Sequence, residues 1–245
     1  MTLNIYAVLL GLGASVGCWQ IIHRIRHSER ARWSTFLLLA LLAALFGART
    51  WYVIQMGLTS GQWLPFLAVW QGGLSWPGAV LGFVLAAAVF IIVIDAPSAV
   101  LFDLLLPLYV LLPVTALLGC WPVGCAYGLR LPEGAFFGLR TLDETGVVSE
   151  RLPLQFLAVI LLLGLTALLL YLQRKGRIVY GQLTSGYAAG LGLVLLLVTL
   201  LRADVQPRLG GLPIDAWAAL TLILGGVIAW VFCGIKYGNK KEKQK

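Results

Sequence analysis

Residues 72–94 read GGLSWPGAVLGFVLAAAVFIIVI, a run without one charged side chain. About 20 apolar residues suffice for a helix to cross some 30 Å of hydrocarbon, so this run is long enough to span a bilayer. Six further stretches share its character, and helices are expected near 4–22, 33–54, 72–94, 99–118, 154–172, 183–201 and 214–234. The composition demands such a reading. The 245-residue chain is 60% hydrophobic and 11% charged, whereas a soluble domain carries about 25% charged residues. Backbone groups in lipid must be satisfied within the segment, so helices fit these runs, and the alternation of a membrane barrel is absent. The expected fold is an all-α, polytopic membrane bundle of seven transmembrane helices. Residues 1–235 form one transmembrane domain, with a long outer connection at 119–153 and a basic tail at 236–245. The first apolar run lacks a basic leader and a small-residue cleavage site and is expected to stay as a helix.

Charge sets a direction. HRIRHSERAR (23–32), QRKGR (173–177) and KYGNKKEKQK (236–245) hold twelve of the eighteen Lys and Arg. With seven spans all three segments fall on one side. Basic loops face the cytoplasm, so the N-terminus is expected outside and the C-terminus inside. The net charge of +8 then belongs to inner loops, and no basic-aromatic patch points to nucleic acid. The opposite side carries the longer connections, with Trp63 and Trp70 as interface anchors in 55–71, and Asp143, Glu144 and Glu150 in 119–153. A site is expected to open there. No internal repeat is evident, which argues against a repeat-built transporter.

Few residues offer chemistry. Arg49, in LFGARTWYV, lies a turn or more below the expected boundary of the second span. A guanidinium at that depth is costly and can hold a phosphate bidentately; the alternative is snorkelling. Arg202, in LLRAD, either pairs with Asp204 or faces a headgroup. Arg130, Arg140 and Arg151 read as solvated or headgroup-contacting charges. Cys120 and Cys125 bracket WPVG, and either form a disulfide or sit as small residues in a glycine turn. Their spacing is not the CxxC of thiol oxidoreductases. Asp103 is either a proton-relay group or a carboxylate simply solvated at a helix end, and Cys18 and Cys233 read as packing residues. His23 and His27 belong to the basic first loop. The cysteines and histidines form no metal-binding pattern, and no cofactor is implied. Gly72, Gly73 and Gly78 either let backbone approach a ligand or let helices pack closely.

Several of these segments resemble the prolipoprotein diacylglyceryl transferase family. Arg49 and Tyr52, followed by Trp70, Gly72, Gly73, Leu74, Ser75, Trp76, Pro77 and Gly78, are similar to its arginine-tyrosine pair and W-x-GG-[LM]-S-F-H-G-G block. Asp103 and Pro107 lead to LLGCWPVGCAYG, with Gly119, Cys120, Gly124 and Gly128 in step with its GR-x-G-N/C-F block. Pro153 and Gln155 match P-x-Q, and LLRAD resembles its C-terminal arginine motif. The likeness is collinear over nearly the whole chain. It implies transfer of a diacylglyceryl group from phosphatidylglycerol to the lipobox cysteine thiol of a prolipoprotein, in a multi-pass protein of the bacterial plasma membrane. Its implied partners are phosphatidylglycerol, the prolipoprotein signal peptide and membrane lipids. The site implied here has Arg49 and Arg202 as catalytic cations sharing one outward-opening cavity. Tyr52, Gly72, Gly73, Ser75, Gly78, Gly119, Cys120, Gly124 and Arg130 would bind substrate. Two family positions depart: the histidine falls on Pro77 and the arginine of GR-x-G on Leu117. The glutamate of its sixth-span block is not visible. A non-catalytic paralogue binding lipid or lipoprotein, and a membrane thiol oxidoreductase using Cys120 and Cys125, are the alternative readings.

Overall fold

The computed structural model describes residues 5–61, 65–67, 73–94, 98–142, 146–204 and 206–242. Gly72, Trp63, Trp70, Asp143 and Glu144 lie outside the described residues. The helices are α1 (Ile5–Arg24), α2 (Arg30–Ser60), α3 (Trp76–Ile94), α4 (Ser98–Leu104), α5 (Leu106–Val123), α6 (Leu154–Arg174), α7 (Gln182–Leu201) and α8 (Ile214–Glu242). Seven of them, all but α4, are long and apolar enough to cross a membrane.

The stretch expected as one helix over 99–118 is divided. It breaks at Leu105, and α5 runs on to Val123. Pro107 stands in the first turn of α5. It has no amide hydrogen to give α4, and its ring crowds the carbonyl four residues back, which disfavours a straight continuation of α4. The far end of α5 closes on Gly124 in the left-handed conformation, with φ +73°. There the amides of Gly124 and Cys125 cap the last carbonyls, an arrangement glycine adopts without a side-chain penalty.

Neighbouring spans run antiparallel, as their contacts show. Gly13 lies against Thr115 and Gly17 against Leu108, so α1 packs on α5 rather than mainly on α2. In the α2–α3 pair, Gly47 meets the backbone of Gly78. In α7–α8, Gly192 faces Ile223 and Gly226 faces Ala189; in α6–α7, Gly190 faces Leu165. One buried cluster joins α1, α2, α3 and the start of α5 around Ile21, Leu37, Phe83 and Leu108. A second joins α5, α6 and α7 around Val114, Leu162 and Val194. The outer surface keeps large apolar side chains such as Ile92, Ile160 and Phe232 exposed, as a lipid-facing belt requires.

Two small hairpins stand at the end of the bundle that carries the close of α5 and the start of α6. Strands β1 (Leu139–Leu142) and β2 (Val148–Arg151) pair antiparallel between α5 and α6. Strands β3 (Arg208–Leu209) and β4 (Leu212–Pro213) pair before α8. At the opposite end, the Asp103 carboxylate accepts the Gly181 amide at 2.7 Å and the Thr184 amide at 3.0 Å. It thus caps the N-terminus of α7 from another helix, a place where negative charge is favoured. Asp103 stands near the end of α4, but its carboxylate is engaged in this cap rather than simply solvated.

Candidate functional site

Three segments converge at the hairpin end of the bundle. The first is the seam between α2 and α3. Gly47 and Gly78 stand backbone to backbone, and a Cβ on Gly78 would strike both the Gly47 carbonyl and the Trp51 side chain. Only a missing side chain allows this approach. The chain enters α3 through Ser75, whose amide bonds the Ala48 carbonyl at 3.1 Å. Gly73 has φ +67° and lies beneath the Tyr52 ring. Over this seam sits Arg49, only 1% exposed. Its Nη2 donates to the Pro65 carbonyl at 3.1 Å and its Nη1 to the Gly73 carbonyl at 3.5 Å. Its guanidinium carbon is 5.9 Å from the Tyr52 ring centre, a weak cation–π distance. Arg49, Tyr52, Gly73, Ser75 and Gly78 are therefore brought together. Gly78 stands in the helix-packing seam.

The second segment holds Arg202. Its Nε and Nη2 both meet the Asp204 carboxylate, and Nη1 is 3.7 Å from Asp215 at the start of α8. Of the two readings of Arg202, pairing with Asp204 is the one observed. Burial would lower the basicity of the guanidinium, but the Asp204 hydrogen bond and the charges of Asp204 and Asp215 outweigh it and hold its pKa above the usual arginine value. Asp215 also accepts from Gln55 of α2 at 3.5 Å. This Gln55–Asp215–Arg202 chain links the two arginine neighbourhoods. The arginines do not meet directly through any described contact.

The third segment follows α5. Cys120 and Cys125 form a disulfide with their Cα atoms 4.8 Å apart. The Cys125 carbonyl accepts from Gln155 Nε2 at 2.9 Å. The chain then lies along the Arg202 backbone: Gly128 pairs with Arg202, and the Ala203 amide donates to the Tyr127 carbonyl at 2.9 Å. Arg151, buried, stands 4.3 Å over the Tyr127 ring. Gly119 is packed on Tyr6 of α1, and Gly124 is the helix cap. Arg130 is exposed and pairs through its backbone with Arg151. Cys120, Gly124 and Arg130 thus flank the Tyr127–Gly128 segment that lies along Arg202, while Gly119 belongs to the α1–α5 contact.

A lateral groove of about 610 Å³ runs between α3, α7 and α8, from Trp51, Trp76 and Pro77 down to Cys233 and Lys236. Its lining includes neither Arg49 nor Arg202. Pro77, at the position of the family's histidine, forms part of its wall, and Leu117 lies in the second core cluster. Gln55 and Asp215 are the linking groups that sequence reading missed. Polar residues inside the second and last spans were the available signal, since neither is cheap in lipid. No group of His, Cys, Asp and Glu suited to a metal ion occurs among the described residues.

A family model described as prolipoprotein diacylglyceryl transferase matches residues 1–232. Proteins named phosphatidylglycerol–prolipoprotein diacylglyceryl transferase are similar to this chain. That of Verminephrobacter eiseniae (strain EF01-2) is 26% identical over 92% of this chain and 85% of its own length. That of Bifidobacterium adolescentis is 26% identical over 94% and 75%. That of Bacillus licheniformis is 35% identical over 35% and 33%.

Proposed function

The chain belongs to the prolipoprotein diacylglyceryl transferase family, and on that premise we propose that it moves a diacylglyceryl group from phosphatidylglycerol onto the lipobox cysteine thiol of a prolipoprotein. A carbon–sulfur bond forms at the terminal glyceryl carbon, and the bond from that carbon to the phosphate oxygen breaks. Glycerol phosphate leaves, and the thiol proton passes to the departing phosphate or to water. The thiol must ionise from an ordinary pKa of about 8.5, and the phosphate must be stabilised as negative charge gathers on it.

The observation that carries the reading is Arg49. It is a buried guanidinium oriented by carbonyl oxygens over a glycine seam, on a chain matched to the family across residues 1–232. Such a group can present paired donors to a phosphate in low dielectric. Arg202, held by Asp204 and Asp215, is suited to fixing the wall of the site. Tyr52, Gly73 and Ser75 shape the approach to Arg49, and Arg130 stands at the rim.

The site end faces outward and the Arg24, Arg174 and Lys236 end faces the cytoplasm of a bacterial plasma membrane. The positive-inside rule supports this, because ten of the eighteen Lys and Arg lie at the second end among the described residues. Purified protein in phosphatidylglycerol nanodiscs, given a synthetic lipobox peptide, is expected to add one diacylglyceryl group to the cysteine, read by mass spectrometry. Transfer should fall steeply in Arg49→Ala. Lipid binding by the parent protein without any transfer would refute catalysis.

A further inference from the structure

The connection between α5 and α6 is built inside out. Thr141 is opposite Ser149, and Leu139 is opposite Arg151, so these four side chains share one face of the β1–β2 hairpin. Thr141, Ser149 and Arg151 of that face are buried, while Arg140 and Val148 of the other face are exposed. A hairpin in water does the reverse, with apolar residues inward and polar residues outward. The preceding turn continues the inversion. Phe136 is 93% exposed and Phe137 71%, with ring centres 4.9 Å apart, and Val147, at the far end of the hairpin, is exposed as well.

An exposed apolar patch of this kind marks a protein or a membrane surface. Its height above the spans decides between them. The turn is tied to β2: the Gly134 amide donates to the Glu150 carboxylate at 2.7 Å, and the Leu131 amide to the Glu150 carbonyl at 2.8 Å. Glu150 precedes the first residue of the α6 span by only four positions. At ~3.4 Å per residue the turn stands no more than about 14 Å above that span, and less if the strand tilts. Headgroups extend the ~30 Å hydrocarbon core to about 40–45 Å, or about 5–7 Å per leaflet, so the two rings, and Val148 two positions further along β2, meet the lipid interface with the hairpin tilted toward the membrane plane. Two exposed cations, Arg130 and Arg140, flank them. Glu133 is the exposed acid of the same turn, and Glu150 is occupied by the Gly134 amide.

We propose that this turn and hairpin form an interfacial anchor. Phe136, Phe137 and Val148 insert among lipids of the leaflet at the Arg49 end, and Arg130 and Arg140 rest on anionic headgroups. Apolar groups held this way sit about 5–10 Å into the headgroup–acyl boundary. The anchor fixes the height of β2 and thereby of Arg151 and Tyr127, which lie beside Arg202. It goes beyond the transfer reaction and holds whether or not the protein is catalytic.

The test uses the full chain with Cys18→Ala and Cys233→Ala, in nanodiscs containing phosphatidylglycerol. A spin label is placed through Phe137→Cys, Val148→Cys or, as the aqueous reference, Glu133→Cys. Power saturation compares molecular oxygen, which concentrates in lipid, with a water-soluble nickel chelate. At positions 137 and 148 oxygen should dominate several-fold relative to position 133. Adding Arg140→Glu should move the position-137 label toward water in phosphatidylglycerol discs and leave it unchanged in phosphatidylcholine discs. Nickel-dominated relaxation at both 137 and 148 overturns the anchor, and shielding of those labels only when a lipobox peptide is added would assign the patch to a protein partner instead. An Arg140→Glu variant with unchanged depth in anionic discs overturns the headgroup contact.

Discussion

Arg49 and Arg202 are the same residue type at the same end of the bundle, yet they are held by opposite kinds of partner. Carbonyl oxygens of Pro65 and Gly73 receive the Arg49 guanidinium. Carboxylates of Asp204 and Asp215 receive that of Arg202. A carbonyl dipole aims a cation; a carboxylate aims it and also cancels its charge. The proposed function assigns the lipid phosphate to the first neighbourhood, while the second joins α2, the end of α7 and the start of α8. Motif matching alone treats the two arginines alike; their partners separate them.

The contrast breaks most directly at Arg49. Arg49→Ala should lower kcat/KM for diacylglyceryl transfer by about a hundredfold or more, the scale for removing one preorganised donor to developing charge. If Arg202→Ala costs more than Arg49→Ala while the protein stays folded, the assignment of roles reverses. Next in size is the seam beneath Arg49. Gly78→Val pushes a branched side chain into the Gly47 backbone and should cost about 3 kcal/mol, read as a lower thermal midpoint in nanodiscs. Removing the cross-link with Cys120→Ser and Cys125→Ser should cost roughly 2 kcal/mol by loop closure, again read thermally. Activity should follow through Arg202, because the Cys125–Gly128 segment lies against it. The smallest effect is expected at Asp215→Asn. It removes a partly exposed charge pair worth roughly 0–1 kcal/mol and keeps a hydrogen-bonding partner for Gln55. Equilibrium unfolding followed by tryptophan fluorescence would measure it, and a change above about 2 kcal/mol would show the Asp215 link to be more than the second tie on Arg202.

The residues differ in how far ahead their positions could be read. The spans are continuous apolar runs, and their number follows from a length that the bilayer sets. The nearness of Arg49 to Gly73 follows from the packing of α2 on α3, where the Ser75 amide bonds the Ala48 carbonyl. The Leu105 break was signalled by Pro107 but hidden inside an apolar run that looked uninterrupted. The Arg202–Asp215–Gln55 chain joins residues up to 160 positions apart, and no local pattern encodes such a meeting. The β1–β2 hairpin lies within what the sequence presents only as a long outer connection at 119–153. Its buried Thr141 and Ser149 invert the alternation by which a strand is usually found.

The packing of α1 on α5 has a consequence for assembly. In a chain laid into the membrane from its N-terminus, α1 arrives first, yet its principal neighbour follows only after α2, α3 and α4. Until then Gly13 and Gly17 have neither Thr115 nor Leu108 to receive them. The α2–α3 pair needs no such wait, since its two members are consecutive spans. In chain order, the α1–α5 packing therefore cannot form before α5 has entered, whereas that of α2 on α3 can. The same arrival sets the Cys120–Cys125 cross-link and the backing for Arg202 into place, so the second arginine neighbourhood is completed later than the first.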